Sequence, residues 1–118
     1  MKIAKLQELL DAKVLCCEEN LDKHVYSACG CDLMSDVLAH ITNQPVLLTG
    51  LVNPQVVRTA LMLDMVCIIF VRSKMPSPDM IELARENGIV LMSTDKSLYY
   101  ASGLLYSNGL DGTREEKA

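Results

Sequence analysis

Aromatic residues and positive charge are both scarce in this sequence of 118 residues, which has no tryptophan, one phenylalanine and four tyrosines. The formal net charge is −4 and the pI is near 5.0. A surface that binds nucleic acid needs clustered positive charge, and so does one that is attracted to an anionic membrane. The composition therefore predicts neither nucleic acid nor a membrane among the partners.

Long apolar runs are also absent. A membrane-spanning helix needs roughly 18 apolar residues in succession, whereas the densest stretch here, MVCIIFV at 65–71, has the length of one buried strand. The first residues alternate charged and apolar side chains, unlike the unbroken apolar segment of a secretory signal. The five cysteines are an odd number, which fits free thiols in a reducing compartment. We therefore expect a cytoplasmic protein.

The motifs of several enzyme classes are missing as well. The sequence contains no GxxxxGK[ST], GxGxxG, GxSxG or HExxH motif, which carry phosphate binding, dinucleotide binding, acyl transfer and zinc hydrolysis. Asp32 and Asp36 lie four residues apart, which is typical of a helix cap with a favourable dipole contact. His40, late in the same predicted helix, fits a cation near a helix C-terminus. We predict no catalytic residues, no metal and no cofactor.

What the sequence does contain is a recurring unit of an apolar strand followed by a helix. Strands are predicted at 14–17, 25–29, 46–49, 66–71 and 89–92, with a first helix ending near residue 12 and a second over 33–41. The pairs Asn53-Pro54 and Ser77-Pro78 are typical of an N-cap followed by the first helical residue. The alternation predicts a three-layer α/β fold, with a mostly parallel central sheet of about five strands and helices on both faces.

One domain is predicted over residues 1–109, and residues 110–118 are predicted to form a flexible tail.

Open parallel sheets bind ligands at the carboxyl ends of their strands. Four loops should meet at that edge, and each leads into a helix N-terminus, which favours an anion. We therefore expect a small ligand that carries phosphate or carboxylate. The candidate ligand-binding residues are Ser35, Thr49, Gly50, Asn53, Arg72, Ser73, Lys74, Ser93, Thr94 and Asp95.

The same hydroxyl, amide and carboxylate groups also fit ordinary helix caps, and this alternative stays open.

Cysteines form the second notable group, since four of the five lie between residues 16 and 31. Adjacent cysteines on a strand point to opposite faces, so Cys16 and Cys17 cannot bind one ion together. The spacing of Cys29 and Cys31 differs from the CxxC of zinc and redox sites. We interpret most of the cysteines as small core residues, with a metal- or redox-responsive site as an alternative.

Cys31 is the exception, because a position at a helix N-terminus would favour its thiolate and make the thiol reactive.

Three groups of segments carry a resemblance to a known family. They are the turn 18–25 (EENLDKHV), the helix start 31–40 (CDLMSDVLAH), and the last strand and helix at 89–95 (IVLMSTD) and 101–106 (ASGLLY). Their order resembles the stand-alone DRTGG-domain proteins, relatives of the N-terminal domain of HPr kinase/phosphorylase.

The resemblance spans about residues 1–109, with one departure. The turn after the central strand reads TGLVNP at 49–54 and lacks the Asp and Arg that give the family its name. The resemblance implies a three-layer domain that often forms dimers and has a regulatory role. Kinase activity is not expected, because the phosphate-binding loop of the kinase domain is absent.

Two functions follow as hypotheses. The first is a non-catalytic regulatory domain that acts as a homodimer and binds a small anionic metabolite or nucleotide. The second is a protein–protein interaction module without a ligand. The second draws on the apolar segment 59–65 (TALMLDM) and on Tyr99, Tyr100 and Tyr106 of the last helix, since a short chain has limited interior for so many apolar residues.

Overall fold

The computed structural model describes residues 1–40 and 44–111, which form one five-stranded sheet with helices on both faces. The elements in chain order are α1 (Ile3–Leu10), β1 (Lys13–Cys16), a 3₁₀ turn (Glu18–Asn20), β2 (Ala28–Gly30), α2 (Met34–His40), β3 (Val46–Thr49), α3 (Pro54–Met62), β4 (Cys67–Phe70), α4 (Pro78–Glu86), β5 (Val90–Ser93) and α5 (Leu98–Ser107). None of these helices is long and apolar enough to cross a membrane, a finding restricted to the described residues.

The strand order across the sheet is β1-β5-β4-β3-β2. The strands β2, β3, β4 and β5 are parallel, but β1 runs antiparallel to β5. The α/β class and the five strands are confirmed, whereas the expected mostly parallel sheet is corrected to a mixed one. An apolar pattern does not encode strand direction. A helical crossover makes consecutive strands parallel, and no such crossover joins β1 to β5.

The helices form two layers. Contacts run from α2 to α3 to α4 on one face, while α1 and α5 contact each other on the other. Every residue of β3, β4 and β5 is buried, because helices cover both faces of the central strands. The single phenylalanine, Phe70, is fully buried in β4. The burial explains why these three strands are apolar without alternation.

Side-chain caps fix the starts of three helices, as the sequence predicts for the first two. Asn53, Ser77 and Ser97 precede α3, α4 and α5, and their side chains accept hydrogen bonds from main-chain N–H groups two or three residues later. Pro54 and Pro78 open α3 and α4, where the missing N–H has no helical partner to lose. These caps set the loops at the carboxyl edge of the sheet.

Two boundaries differ from the sequence prediction. β2 begins at Ala28, because the preceding segment pairs with the start of the chain: Val25 N donates to Met1 O at 2.9 Å. The predicted tail begins too early, since Leu110 is only 5% exposed and its N–H donates to Leu105 O at 2.9 Å. The rest of the predicted tail, and the last residue of the predicted second helix, lie outside the described residues.

Candidate functional site

Asp32 joins the carboxyl ends of β2 and β3. Its Oδ1 accepts hydrogen bonds from Thr49 Oγ1 and from the N–H of Gly50, each at 2.8 Å. Thr49 is fully buried, and its hydroxyl also accepts from the N–H of Leu51 at 3.1 Å. The interpretation of Asp32 as a helix cap is therefore wrong, because its carboxylate holds the turn after β3. Sequence reasoning missed this residue, although an Asp placed directly after a predicted strand is a usable signal.

The loop after β4 is tied to the loop after β5 by its main chain. Arg72 and Ser73 both have positive φ, 54° and 59°. The N–H of Arg72 donates to Lys96 O and that of Ser73 to Thr94 O, both at 2.8 Å. The N–H of Lys74 donates to Val71 O at 3.1 Å. These three amides are engaged within the chain, so any anion bound here would meet side chains.

The guanidinium of Arg72 reaches across to the turn after β3. A Cβ added at Gly50 would lie 3.2 Å from Arg72 Nη2 and 3.8 Å from each carboxylate oxygen of Asp32. The glycine thus leaves space between a cation and an anion. Arg72 is exposed, and it forms no ion pair or side-chain hydrogen bond with any residue that the structure describes. Its charge is accessible to an external anion.

Lys13 adds a positive charge at the same edge. Because β1 is antiparallel to β5, Lys13 is paired with Ser93, the last residue of β5. Lys13 and Lys74 are both exposed, and the main-chain carbonyl of Lys74 accepts a hydrogen bond from Ser93 Oγ at 2.8 Å. Strand direction was not predictable from the apolar pattern, so sequence reasoning missed Lys13.

Several predicted site residues use their polar groups within the fold. The hydroxyl of Thr94, which is 2% exposed, donates to Leu10 O at 2.7 Å. Ser93 is 8% exposed and donates to the main chain of Lys74. Asn53 Oδ1 accepts from the N–H of Gln55 at 2.9 Å, as a helix cap. These three side chains stabilise the edge, and the open alternative of ordinary capping applies to Asn53.

The remaining predicted residues are exposed. Asp95 Oδ1 lies 3.6 Å from Lys96 Nζ, and its negative charge opposes anion binding. Ser35 lies in the first turn of α2 and Ser73 in the loop after β4. The structure therefore brings together Thr49, Gly50 and Arg72 around Asp32, and leaves Ser35 and Asp95 as exposed flanking residues.

The buried cysteines are core residues, as predicted. Cys16, Cys17 and Cys67 are 6%, 5% and 0% exposed. Burial, followed by the neighbouring Cys16 thiol, raises the pKa of Cys17 to about 11. Burial also raises the pKa of Cys67. Within residues 1–40 and 44–111, no three His, Cys, Asp or Glu side chains lie close enough to hold a metal ion.

A small open cavity of about 110 Å³ lies between the sheet and α5, where Gly30, Leu48 and Tyr106 contribute to its lining. Pockets that hold drug-sized ligands usually have about 300–1,000 Å³. None of the ten predicted site residues lines this cavity. Its size suits water, and we do not assign it to a metabolite.

The fold defines a three-layer α/β domain with a mixed sheet. The cations Lys13, Arg72 and Lys74 lie along the carboxyl edge of that sheet. The DRTGG domain family matches residues 5–107. Because the match covers most of the sequence, this chain belongs to the DRTGG domain family. The resemblance is confirmed to that extent, and the relation to HPr kinase/phosphorylase stays a prediction.

One of the similar solved structures matches nearly the whole chain. It is the crystal structure of the CBS and DRTGG domains of the regulatory region of Clostridium perfringens pyrophosphatase, complexed with the activator diadenosine tetraphosphate. The TM-score is 0.72 and the sequence identity 17%, and the match covers 98% of this chain and 51% of that one. At this identity the likeness establishes the fold. No curated protein matches the sequence significantly.

Proposed function

We propose that this chain is a non-catalytic regulatory domain that binds a small anion, a nucleotide or phosphorylated metabolite, at the carboxyl edge of its sheet. It acts in the cytoplasm as a homodimer. The similar pyrophosphatase region is regulatory and was solved with a nucleotide activator, which supports a ligand of this class. That chain is about twice as long as the matched part, so its ligand is carried over here only as a proposal.

The observation that carries the proposal is the position of Arg72 beside Gly50. A guanidinium is planar and always charged, and it can bind two phosphate oxygens at once. Here it is exposed and lies at a glycine without a side chain to obstruct the approach. Lys13 and Lys74 are exposed cations of the same edge. An anion would therefore be held by side chains, because Asp32 already occupies the N–H of Gly50. The Asp32 carboxylate opposes an anion, so the ligand would contact the part of the Arg72 guanidinium that is farthest from Asp32.

The hydroxyl groups of this edge support a binding role in preference to a catalytic one. A nucleophilic hydroxyl needs a general base within hydrogen-bonding distance. Ser93 and Thr94 instead donate to main-chain carbonyls, and Thr94 is buried. Thr49 donates to the Asp32 carboxylate, but it is fully buried and lies out of reach of a substrate.

Thermal-shift measurements with diadenosine tetraphosphate, ATP, AMP and inorganic phosphate test the proposal, with adenosine as the uncharged control. A ligand at 100 times its dissociation constant should stabilise the fold by about 2.7 kcal/mol. Arg72→Gln should abolish the shift, whereas Arg58→Gln should keep it. Arg58 is an exposed arginine of α3, so this variant removes the same charge elsewhere. An equal shift in both variants, or with adenosine, contradicts the site.

Gly50→Ala tests the geometry without a change in charge. Its new Cβ would lie 3.2 Å from the flexible end of Arg72, so the guanidinium must move by a few tenths of an ångström. We expect weaker binding with an unchanged midpoint of thermal unfolding in the absence of ligand. Unchanged affinity in this variant would show that the anion does not bind between Gly50 and Arg72.

A second candidate function, the interaction module, is favoured by the exposed face of α5. Tyr99, Tyr100 and Tyr106 are 91%, 57% and 64% exposed. Tyrosines of this kind are enriched at protein interfaces. Light scattering at micromolar concentration tests the homodimer, and Tyr99→Ser with Tyr106→Ser should reduce its mass. Met75→Ser is the matched control, because Met75 is 50% exposed and lies outside both α5 and the segment 59–65. A monomeric wild-type protein counts against the homodimer.

A further inference from the structure

Two cysteines flank Gly30 at the end of β2, directly before Asp32. A Cβ added at Gly30 would lie 3.1 Å from Ser102 Oγ and 3.2 Å from Leu98 Cδ1, so position 30 faces α5. Successive residues of a strand point to opposite faces. Cys29 and Cys31 therefore share the other face of β2, the side of the sheet that α2 covers. Both thiols are partly exposed at the margin of the core.

The spacing allows the two sulfurs to be bridged. Residues two apart in a strand have Cα atoms about 6.6 Å apart, and disulfides join Cα atoms about 4.4–6.8 Å apart. Closure needs a modest contraction at Gly30, which has no side chain to resist bending. β2 is also an outer strand, with β3 on one side only. The segment can therefore bend without breaking pairs to a second strand.

The environments of the two thiols assign them different roles. Burial, followed by the charge of Cys31, raises the pKa of Cys29, so Cys29 remains a thiol at neutral pH. Cys31 lies past the end of the strand, and its sulfur is 3.4 Å from both the nitrogen and the carbonyl oxygen of Leu33. The N–H donates to the sulfur, and the thiol donates to the oxygen. The Leu33 N–H can stabilise a thiolate at Cys31, so Cys31 is the thiol that attacks the oxidant first, and Cys29 is the resolving thiol.

We propose that Cys29 and Cys31 form an intramolecular disulfide in the presence of a hydroperoxide, and that its closure releases Asp32 from Thr49 and Gly50. In the first step Cys31 sulfur attacks one peroxide oxygen, giving a sulfenic acid, and with hydrogen peroxide the other oxygen leaves as water. In the second step Cys29 sulfur attacks Cys31 sulfur and a second water leaves. Two thiols are oxidised to one disulfide and one peroxide is reduced to two waters.

The chain connection couples this bond to the candidate anion site. The N–H of Cys31 donates to Leu48 O at 3.0 Å, and the next residue is Asp32, which holds Thr49 and Gly50. Contraction between Cys29 and Cys31 requires the backbone here to shift, and the hydrogen bonds of the Cys31 N–H and of Asp32 depend on its present position. The consequence for ligand affinity rests on the proposed function, whereas disulfide formation does not.

Peptide mapping tests the bond itself. The full chain is treated with hydrogen peroxide, alkylated under denaturing conditions and digested with trypsin. Cleavage after Lys and Arg places Cys29 and Cys31 in the peptide 24–58, separate from the other cysteines in 14–23 and 59–72. We expect the peptide 24–58 to become lighter by two hydrogen atoms and to resist alkylation. Cys29→Ser should instead accumulate a sulfenic acid on Cys31, trapped by a dimedone probe, and Cys31→Ser should remain unoxidised.

Three results would overturn the disulfide: sulfinic acid on Cys31 without a bridge, cross-links between chains, or an unmodified peptide 24–58. Hydrogen exchange of the Gly50 amide tests the coupling to Asp32. Exchange should be slow in the reduced protein and at least tenfold faster after oxidation, with no change in peroxide-treated Cys31→Ser. A bridged protein with unchanged Gly50 exchange contradicts the coupling. Thermal shifts measured on the reduced protein report the proposed ligand separately.

Discussion

The Asp32 carboxylate lies 2.8 Å from the hydroxyl oxygen of Thr49 and joins residues that are 17 positions apart in the chain. Thr49 has no access to solvent, so this hydroxyl has no water to replace a lost acceptor. The N–H of Gly50 shares the same carboxylate oxygen. One exposed side chain therefore satisfies a buried hydroxyl and shapes the turn beside Arg72.

Asp32→Ala should lower the free energy of unfolding by about 1–3 kcal/mol, because it removes the acceptor of a buried donor. Thr49→Val in the same background should cost less than it does alone, with a coupling energy of at least about 0.5 kcal/mol. Urea unfolding of the four proteins measures this cycle. Asp22→Ala, at an exposed turn residue, is the matched control. Additive losses for Asp32 and Thr49 would contradict the interaction.

Two glycines should respond to alanine in opposite directions. Gly30→Ala would place a Cβ 3.1 Å from Ser102 Oγ and 3.2 Å from Leu98 Cδ1, which should lower the free energy of unfolding by about 1–3 kcal/mol. A Cβ at Gly103, within α5, meets nothing within 4 Å. Gly103→Ala should raise stability by about 0.5–1 kcal/mol through helix propensity. Chemical denaturation measures both, and a stabilised Gly30→Ala would show that α5 is not packed as described.

The end of α1 offers a stabilising substitution. Asp11 follows the helix with φ 48° and ψ 48°, a left-handed conformation that glycine adopts without the steric cost of a Cβ. Asp11→Gly should raise the free energy of unfolding by about 0.5–1 kcal/mol. Asp22, which does not have a positive φ, provides the control with the same change in charge. Asp22→Gly should be neutral or destabilising, so an equal gain in both variants would refute the conformational reason.

The buried thiols should make the free energy of unfolding depend on pH. The pKa of Cys67 is raised by burial, and that of Cys17 is raised to about 11, first by burial and then by Cys16. An unfolded thiol ionises with a pKa of about 8.5. Above about pH 8 the unfolded chain loses thiol protons that the folded chain retains, so the free energy of unfolding falls as the pH rises.

Urea unfolding between pH 7 and pH 10, with a reducing agent present, measures this slope. Cys67→Ala should be less stable than the wild type at pH 7, since it leaves a small cavity, but its stability should fall less steeply with pH. The thiol contribution should be constant below about pH 8, because both states then keep their protons. Parallel curves for the two proteins would exclude Cys67 as a source of the slope.

Helix caps and buried strands were predictable from the sequence, because they depend on residues that are close together in the chain. Asn53 and Ser77 act as caps because each accepts from an amide two or three residues away. The buried strands were found because their residues are apolar on both faces. The segments that were predicted within a few residues are therefore those whose structure depends on near neighbours.

The site depends on contacts between distant residues, which a single sequence does not reveal. Thr94 was predicted to face a ligand, yet its hydroxyl bonds to Leu10, 84 positions away. The sequence pattern indicates a helix cap at Asp32, because nothing in its neighbourhood indicates Thr49 as its partner. Lys13 joins the carboxyl edge only because β1 runs antiparallel. Arg72 and Gly50 were both predicted, but their proximity follows from the pairing of β3 with β4.

The two outer strands bear on how copies of this domain can assemble. β1 has four residues, starts with the exposed Lys13 and changes register between Val14 and Cys16, and β2 has three residues. Short, irregular or charged edges offer a poor template for an incoming strand. Edge-to-edge growth of the sheet into fibres is therefore disfavoured. A homodimer formed through the helices, as proposed above, would not extend the sheet and would stay a discrete particle.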